Sequence, residues 1–197
     1  MVISHNGRYD RALAKRVGIL RSAAAVFRRR GFERAGMREI ADELGVTTGV
    51  LYYHFRDKND LLYFCQDYSL DRMLEAGARI RKEKGSPAVR LRRLIDAQLT
   101  CMLDELQGSA AHLEFAGLPP RLLKKVVAKR DRYEKMMRGL VSQGMRTGAF
   151  RKRDSKLVTL AILGAINWTI KWYRPDGGRS PQKIAGEFAD YLIKGLA

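Results

Sequence analysis

Apolar residues recur along most of the chain at intervals of three and four, the spacing that gives a helix one apolar side. Leu13, Val17, Leu20, Ala24 and Phe27 set the first stripe over 11–30, and Gly31 ends it. Ile40, Ala41 and Leu44 set a short second one, stopped by Gly45 as a helix C-terminus prefers. A third runs to about His54, with Thr47 or Thr48 as its cap and with Leu51 and Phe55 turned inward. Asp57 then caps a long helix from Lys58 to about Lys84. Gly85-Ser86-Pro87 breaks the chain before a helix reaching about Leu106, with Ser86 as cap and Pro87 in the first helical position. A short helix over 110–116 and the break at Gly117-Leu118-Pro119-Pro120 come next. A long basic helix over 121–147 follows, with Val126, Tyr133, Met137 and Leu140 on its inner side. Asp154 or Ser155 opens a helix over 156–173, and the last, over 181–196, shows Ile184, Phe188, Tyr191 and Leu192 as a stripe. Residues 1–10 carry no such pattern and read as a disordered arm. The fold class this predicts is all-α.

The second and third stripes are separated by only a few residues, so their helices must cross steeply. That is helix-turn-helix geometry, with the second helix presented to the major groove of DNA. Once Leu51 and Phe55 face inward, Thr47, Thr48, Gly49, Tyr52, Tyr53 and His54 are left facing outward or sideways. Hydroxyls, an aromatic edge, an imidazole and a bare glycine backbone suit phosphates and thymine methyl groups. Arg38 on the preceding helix is in reach of a base edge or phosphate, and Lys58 follows the third helix. On this reading Tyr52, His54 and Lys58 hold phosphates, while Arg38, Thr48 and Tyr53 read bases.

The helix over 156–173 is apolar nearly all round, from Leu157 and Leu160 to Trp168 and Trp172. Such a helix must be covered on every side. The expected cover is the domain core on one side and a second subunit on the other, so that the last two helices of each copy make a four-helix dimer interface. Trp168 and Trp172 lie four apart with Lys171 beside them. Two readings stand: a pocket for a flat or elongated anion, with Met137 and its neighbouring methionines in its lining, or simple interface core.

The sequence has 197 residues with a formal charge of +17, and that surplus is uneven. Residues 1–63 hold 12 Lys/Arg against 7 Asp/Glu, and residues 64–197 hold 26 against 14. Most of the excess thus lies outside the helix-turn-helix, where it can assist DNA binding nonspecifically or attract an anionic small ligand. The longest apolar run, 157–170, is shorter than the roughly 20 residues that span a bilayer, and the N-terminus lacks an apolar signal core, so a cytoplasmic protein with no membrane partner is expected. Cys65 and Cys101 have no metal-ligand spacing and read as reduced packing residues.

The run Ile40-Ala41, Leu44-Gly45-Val46, Gly49, Leu51-Tyr52, His54-Phe55, Lys58 and Leu61-Leu62 resembles the DNA-binding segment of tetracycline-repressor-type regulators. The likeness covers roughly residues 11–65. It implies an all-α homodimer with a DNA-binding domain over 1–60 and a larger ligand-binding and dimerisation domain over 61–197. One departure is the stretch before Arg38, where the family carries a hydroxyl residue and this chain has Gly36 and Met37. Gly144, Gly148, Phe150, Asp154, Trp168 and the run Lys171 to Pro175 resemble the subgroup that responds to acyl-coenzyme A esters of lipid or sterol catabolism. The resemblance does not single out the basic residues for the coenzyme's phosphates; Arg121, Lys124, Lys125 and the Arg130–Arg132 region are candidates.

Catalysis finds little support. The histidines are His5, His54 and His112, and no phosphate-binding loop, nucleophile elbow or zinc-protease motif is present. No catalytic residue, metal or cofactor is assigned. The reading is a repressor that binds operator DNA as a homodimer and is released by a small effector, an acyl-CoA ester by resemblance. A non-CoA aromatic or hydrophobic effector is the alternative within that class, and a ligand-independent DNA-coating protein is the alternative outside it.

Overall fold

The computed structural model describes residues 6–105 and 115–197, with side chains at 17–104 and 115–197. Among these residues there are eight α-helices and no strand. They are α1 (Asn6–Arg30), α2 (Met37–Leu44), α3 (Thr48–His54), α4 (Lys58–Lys82), α5 (Pro87–Thr100), α6 (Pro120–Arg146), α7 (Ser155–Trp172) and α8 (Pro181–Lys194). A π-helical turn, Cys101–Glu105, continues α5.

The helix ends follow from their capping residues. Asp57 accepts the Asp60 N–H at 2.8 Å to start α4, Ser86 accepts the Val89 N–H at 3.3 Å to start α5, and Asp154 accepts the N–H groups of Lys156 and Leu157 to start α7. Gly45 ends α2 at φ 71°, a left-handed conformation that costs a residue without Cβ nothing. The turn after α6 depends on a close approach instead. The Phe150 N–H donates to the Gly144 carbonyl at 3.1 Å, and a Cβ at Gly144 would run into the Phe150 ring.

Two findings depart from the sequence pattern. Residues 6–10 belong to α1 rather than to a disordered arm: once a helix is nucleated each further residue adds a bond at little cost, so polarity alone does not end it. Tyr191, placed on the apolar stripe of α8, is 72% exposed, while Ile184 is buried and Phe188 and Leu192 are half-buried. The predicted helix over 110–116 falls largely outside the described residues.

α1, α2 and α3 close around Phe27, Ile40, Leu51 and Phe55, all at most 1% exposed. In the remainder, α5 packs on α8 and, with α4, against α6, and α7 lies on α6. α4 runs through both parts. Leu61 and Leu62 at its start and Ile80 near its end are all buried.

Gly144→Ala should force the Phe150 ring out of place and destabilise the fold by about 1–3 kcal/mol. At roughly 2–4 °C per kcal/mol for a chain of this size, calorimetry should show a melting point several degrees lower. An unchanged melting point would mean that the ring moves aside freely.

Candidate DNA interface and effector sites

α3 is short, and its burial is one-sided. Leu51 is fully buried, while Tyr53 is 86% and Tyr52 55% exposed. Thr47 and Gly49 are exposed, Thr48 and His54 half-buried. Thr47 is the N-cap residue, but its hydroxyl makes no capping bond and so remains available to another acceptor or donor. Tyr53 meets His54 edge-on at 5.1 Å between ring centres. Arg38, in the first turn of α2, is exposed. The structure therefore gathers these predicted contact residues on and beside one exposed helix.

Lys58 has a more specific position than the sequence conveys. Its Nζ donates to the Phe32 carbonyl at 2.8 Å and the Glu33 carbonyl at 3.0 Å, and lies 4.5 Å from the centre of the Phe32 ring. Two of its three donors thus hold the turn after α1, and the third takes no part in these bonds. The Arg28–Arg30 cluster is likewise used locally. Arg29 grips Glu43 with both terminal nitrogens, and Arg30 reaches Glu39 at 3.0 Å. The bond to Arg29 holds the Glu43 carboxyl below its ordinary range. Both pairs clamp α2 to α1, a role that adjacent arginines do not reveal in sequence. One further exposed residue of α3 escaped the pattern: Val50, an apolar group 41% exposed. Its signal was a leftover apolar position on a short helix already anchored by Leu51.

The four residues expected to line a ligand pocket are not brought together. Met137 is fully buried in α6, whereas Trp168 is 64% and Trp172 42% exposed and Lys171 is exposed beside them. The reason is the orientation of α7. It turns Thr159, Ile162, Ile166 and Thr169 inward, and this leaves Leu157, Leu160, Trp168 and Trp172 on the opposite face. Trp172 rests on Phe188 of α8 at 5.8 Å between ring centres.

A small, partly open cavity of about 50 Å³ lies elsewhere, among Leu70, Met73, Gln98, Arg130, Tyr133, Leu163 and Asn167. The Gln98 Oε1 and the Tyr133 hydroxyl are buried with no hydrogen-bond partner among the described residues. Burial pushes the Tyr133 phenol above its usual pKa and the Arg130 guanidinium below its own. The guanidinium lies 4.2 Å from the centre of the Phe115 ring. The π-turn begins three residues beyond Gln98, and such turns concentrate at functional sites. The two cysteines are both buried, and burial pushes the Cys65 thiol up to about 12, which makes it inert.

The connecting helix α4 joins these regions. Phe55 packs on Phe64 at 5.3 Å, and Phe64 on Tyr68 at 6.0 Å. Farther along, Asp67 and Asp71 of α4 both hold the Lys129 ammonium of α6, at 2.6 and 2.7 Å. The Tyr63 hydroxyl donates to Asp67 at 2.9 Å. Burial alone would lower the Lys129 pKa, but the bonds to both carboxylates prevail and raise it. Among the described residues no helix is long and apolar enough to cross a membrane, and no group of His, Cys, Asp and Glu is placed to hold a metal.

Comparison with known proteins agrees with this architecture. Residues 19–63 match the family described as bacterial regulatory proteins of the tetR family, and residues 84–196 match the tetracyclin repressor-like C-terminal domain. The transcriptional repressor KstR2 of Mycobacterium tuberculosis is 27% identical over 194 residues, covering 93% of each chain. The solved regulator PfmR of Thermus thermophilus is 30% identical with a TM-score of 0.79, over 91% of this chain and 98% of that one. AibR, solved with isovaleryl coenzyme A and operator DNA, is 26% identical with a TM-score of 0.73, over 92% of this chain and 97% of that one. These relatives are transcription regulators rather than enzymes.

Lys58→Met should remove charge-assisted bonds to two backbone carbonyls and cost about 1.5–3 kcal/mol of stability. Chemical denaturation without DNA measures it, and an unshifted midpoint would mean that the ammonium contributes nothing to the seat.

Proposed function

The chain belongs to the tetracycline-repressor family of bacterial regulatory proteins, and from that premise we infer that it is a homodimeric repressor released from its operator by a small effector. The DNA-binding domain ends near residue 60, and the remainder binds ligand and the second subunit. Two copies of α3 enter successive major grooves of a near-palindromic site. Tyr52, His54 and the remaining donor of Lys58 hold phosphates; Thr47 and Gly49 let the backbone approach; Arg38, Thr48 and Tyr53 read bases. The observation that carries this reading is the one-sided burial of α3, whose outer face offers two exposed tyrosines.

The dimer rests on α7. Leu157, Leu160, Trp168 and Trp172 recur at helical spacing along its uncovered face, and an apolar stripe of that length marks an interaction surface. Trp168, Lys171 and Trp172 therefore act first as interface residues, and Met137 as the core beneath. The effector we propose is an acyl-CoA ester. What supports it is the overall likeness to KstR2, a repressor, and to AibR, solved with a coenzyme A ester and operator DNA. The unsatisfied Gln98 and Tyr133 oxygens supply polar partners for a buried ligand head. An effector that enlarges this cavity displaces α4 and shifts the two reading helices out of register, since ligand and DNA then favour different arrangements.

Fluorescence anisotropy at physiological salt should show the DNA upstream of the gene preferred over a scrambled duplex by roughly 10³-fold or more, with release on adding isovaleryl-CoA or octanoyl-CoA. Arg38→Ala should relax preference at one base pair by about 1–3 kcal/mol. Equal affinity for both duplexes would leave only the DNA-coating reading, and release by uncharged aromatic compounds alone would replace the acyl-CoA assignment. Sedimentation should give twice the 22.4 kDa chain mass, falling to one chain in Trp168→Asp. A wild-type monomer would end the dimer proposal.

A further inference from the structure

The first eleven positions of α6, 120–130, hold five cations and no acid, the earliest acid on that helix being Asp131. Two of the five are used inside the protein. Lys129 joins α4 through Asp67 and Asp71, and the Arg130 guanidinium lies on the Phe115 ring. Arg121, Lys124 and Lys125 are all exposed, and none of them is ion-paired among the described residues. Nor does any of the three line the cavity around Gln98 and Tyr133. Stability of the helix does not account for them. The N-terminal end of a helix favours acids over cations, and like charges three and four positions apart repel one another.

What sets these cations apart is their level along the connecting helix. The contacts between α4 and α6 advance together along both. The Lys125 ammonium lies 5.9 Å from the centre of the Tyr63 ring, Lys129 meets Asp67 and Asp71, and Met136 lies against Gly77. The two helices thus run side by side in the same direction. Carried back at the same offset, Arg121 comes level with the residues just after Lys58, within roughly 8 Å of it along the axis of α4. Its charge is felt at the Tyr63 hydroxyl, where it favours the ionised form. Side chains on a helix lean toward its N-terminus, so all three cations tilt toward the end where α4 begins. That end also carries Arg34, exposed in the turn whose carbonyls hold Lys58. A groove of about 420 Å³ lies between this turn and Gly117, just ahead of α6. Of the acids nearby, Asp57 caps α4 and Asp60 accepts the Arg56 N–H at 3.2 Å, while Glu33 is exposed beside Arg34.

We propose that Arg121, Lys124 and Lys125 form a second hold on the phosphate backbone of bound duplex DNA, supplied by the larger domain rather than by the helix-turn-helix. A duplex seated on α3 passes within reach of Lys58, and cations level with that lysine meet the same polyanion. Such contacts carry no sequence information; they add affinity by releasing counterions. Their consequence is also mechanical. DNA then holds the starts of both α4 and α6, so sliding one helix against the other across the Lys129 joint breaks contacts on the duplex. This rests on the operator-binding function proposed above, because α3 is what places the duplex.

Fluorescence anisotropy of the full chain across a salt series, on the DNA upstream of the gene and on a scrambled duplex of equal length, tests the second hold. The triple variant Arg121→Gln, Lys124→Gln, Lys125→Gln changes exposed side chains only, and circular dichroism should show an unchanged melting curve. It should bind both duplexes roughly tenfold or more weakly at 150 mM salt. The slope of log affinity on log salt should flatten by about 0.9 for each phosphate lost, and so by about 2 or more in a dimer. Ethylation interference should show, in each half-site, at least one phosphate that the wild type needs and the variant does not. Lys124→Glu, a change that the N-terminal end of α6 favours, should weaken binding in the same direction. The charge-matched control Arg81→Gln, Lys82→Gln, Lys84→Gln removes three exposed cations at the far end of α4, roughly 35 Å from Lys58, and should alter neither slope nor phosphates. An equal loss in the control reduces the effect to net charge and overturns the contact. If the wild type prefers upstream DNA and the triple variant keeps its slope and phosphates, the second hold fails and the repressor reading stands. If the wild type binds both duplexes alike while the triple variant alone loses affinity and slope, the hold on DNA stands and the repressor reading fails.

Discussion

The first residue of α4 carries an ammonium that two backbone carbonyls, of Phe32 and Glu33, hold in the turn after α1. Everything proposed for regulation depends on that seat being stiff. A reading helix of seven residues has no stability of its own, because helices this short are marginal in water. α3 keeps its shape because Leu51 and Phe55 are fully buried beneath it, each worth about 1.5–3 kcal/mol of apolar burial. α2 keeps its angle because Arg29 and Arg30 grip Glu43 and Glu39. These two ion pairs are largely exposed, so their share is geometric more than energetic. With the ammonium in place, a displacement of α4 moves the whole reading unit and not one helix of it.

At the other end of the lever, Asp67 and Asp71 share the Lys129 ammonium. A coupling between effector and DNA amounts typically to about 1–3 kcal/mol. Charge-assisted bonds of partly exposed groups fall in that range after discounting for solvent. A joint much stronger than this would hold α4 in one place whatever was bound, and a much weaker one would let it drift without a ligand. The Tyr63 hydroxyl adds a third bond to Asp67, and burial with that bond pushes the phenol up to about 12, so the joint stays intact at neutral pH.

The fold was legible in the sequence because its signals are local. Gly45, Asp57, Ser86 and Asp154 each end or begin a helix where their own chemistry requires it. The exposed face of α3 was legible for the same reason: with Leu51 and Phe55 assigned inward, the remaining residues of α3 had one direction left. What the pattern could not convey was partnership across the chain. Lys58 meets carbonyls 25 and 26 residues away, and Arg90 meets Gln143, 53 residues away. No periodicity encodes either. The tryptophans left two readings open for a related reason. Their spacing fixes that they share a face of α7, but not whether that face looks into the domain or out of it, and here Thr159, Ile162 and Ile166 took the inner side.

The charge of the chain sharpens what the outer face of α7 must do. Two copies each carrying +17 repel one another, so their association has to draw on something other than opposite charges. α7 offers no acid at all, and its two charged residues, Lys156 and Lys171, are both basic. Association in the proposed dimer must then come from apolar contact along Leu157, Leu160, Trp168 and Trp172, with salt assisting by screening the repulsion. DNA supplies a second offset. A duplex bound by the proposed dimer neutralises part of the positive charge on both copies at once, which favours their pairing. The same added salt that steadies the free dimer weakens its hold on phosphates. In the proposed dimer, assembly and DNA binding therefore respond to ionic strength in opposite directions.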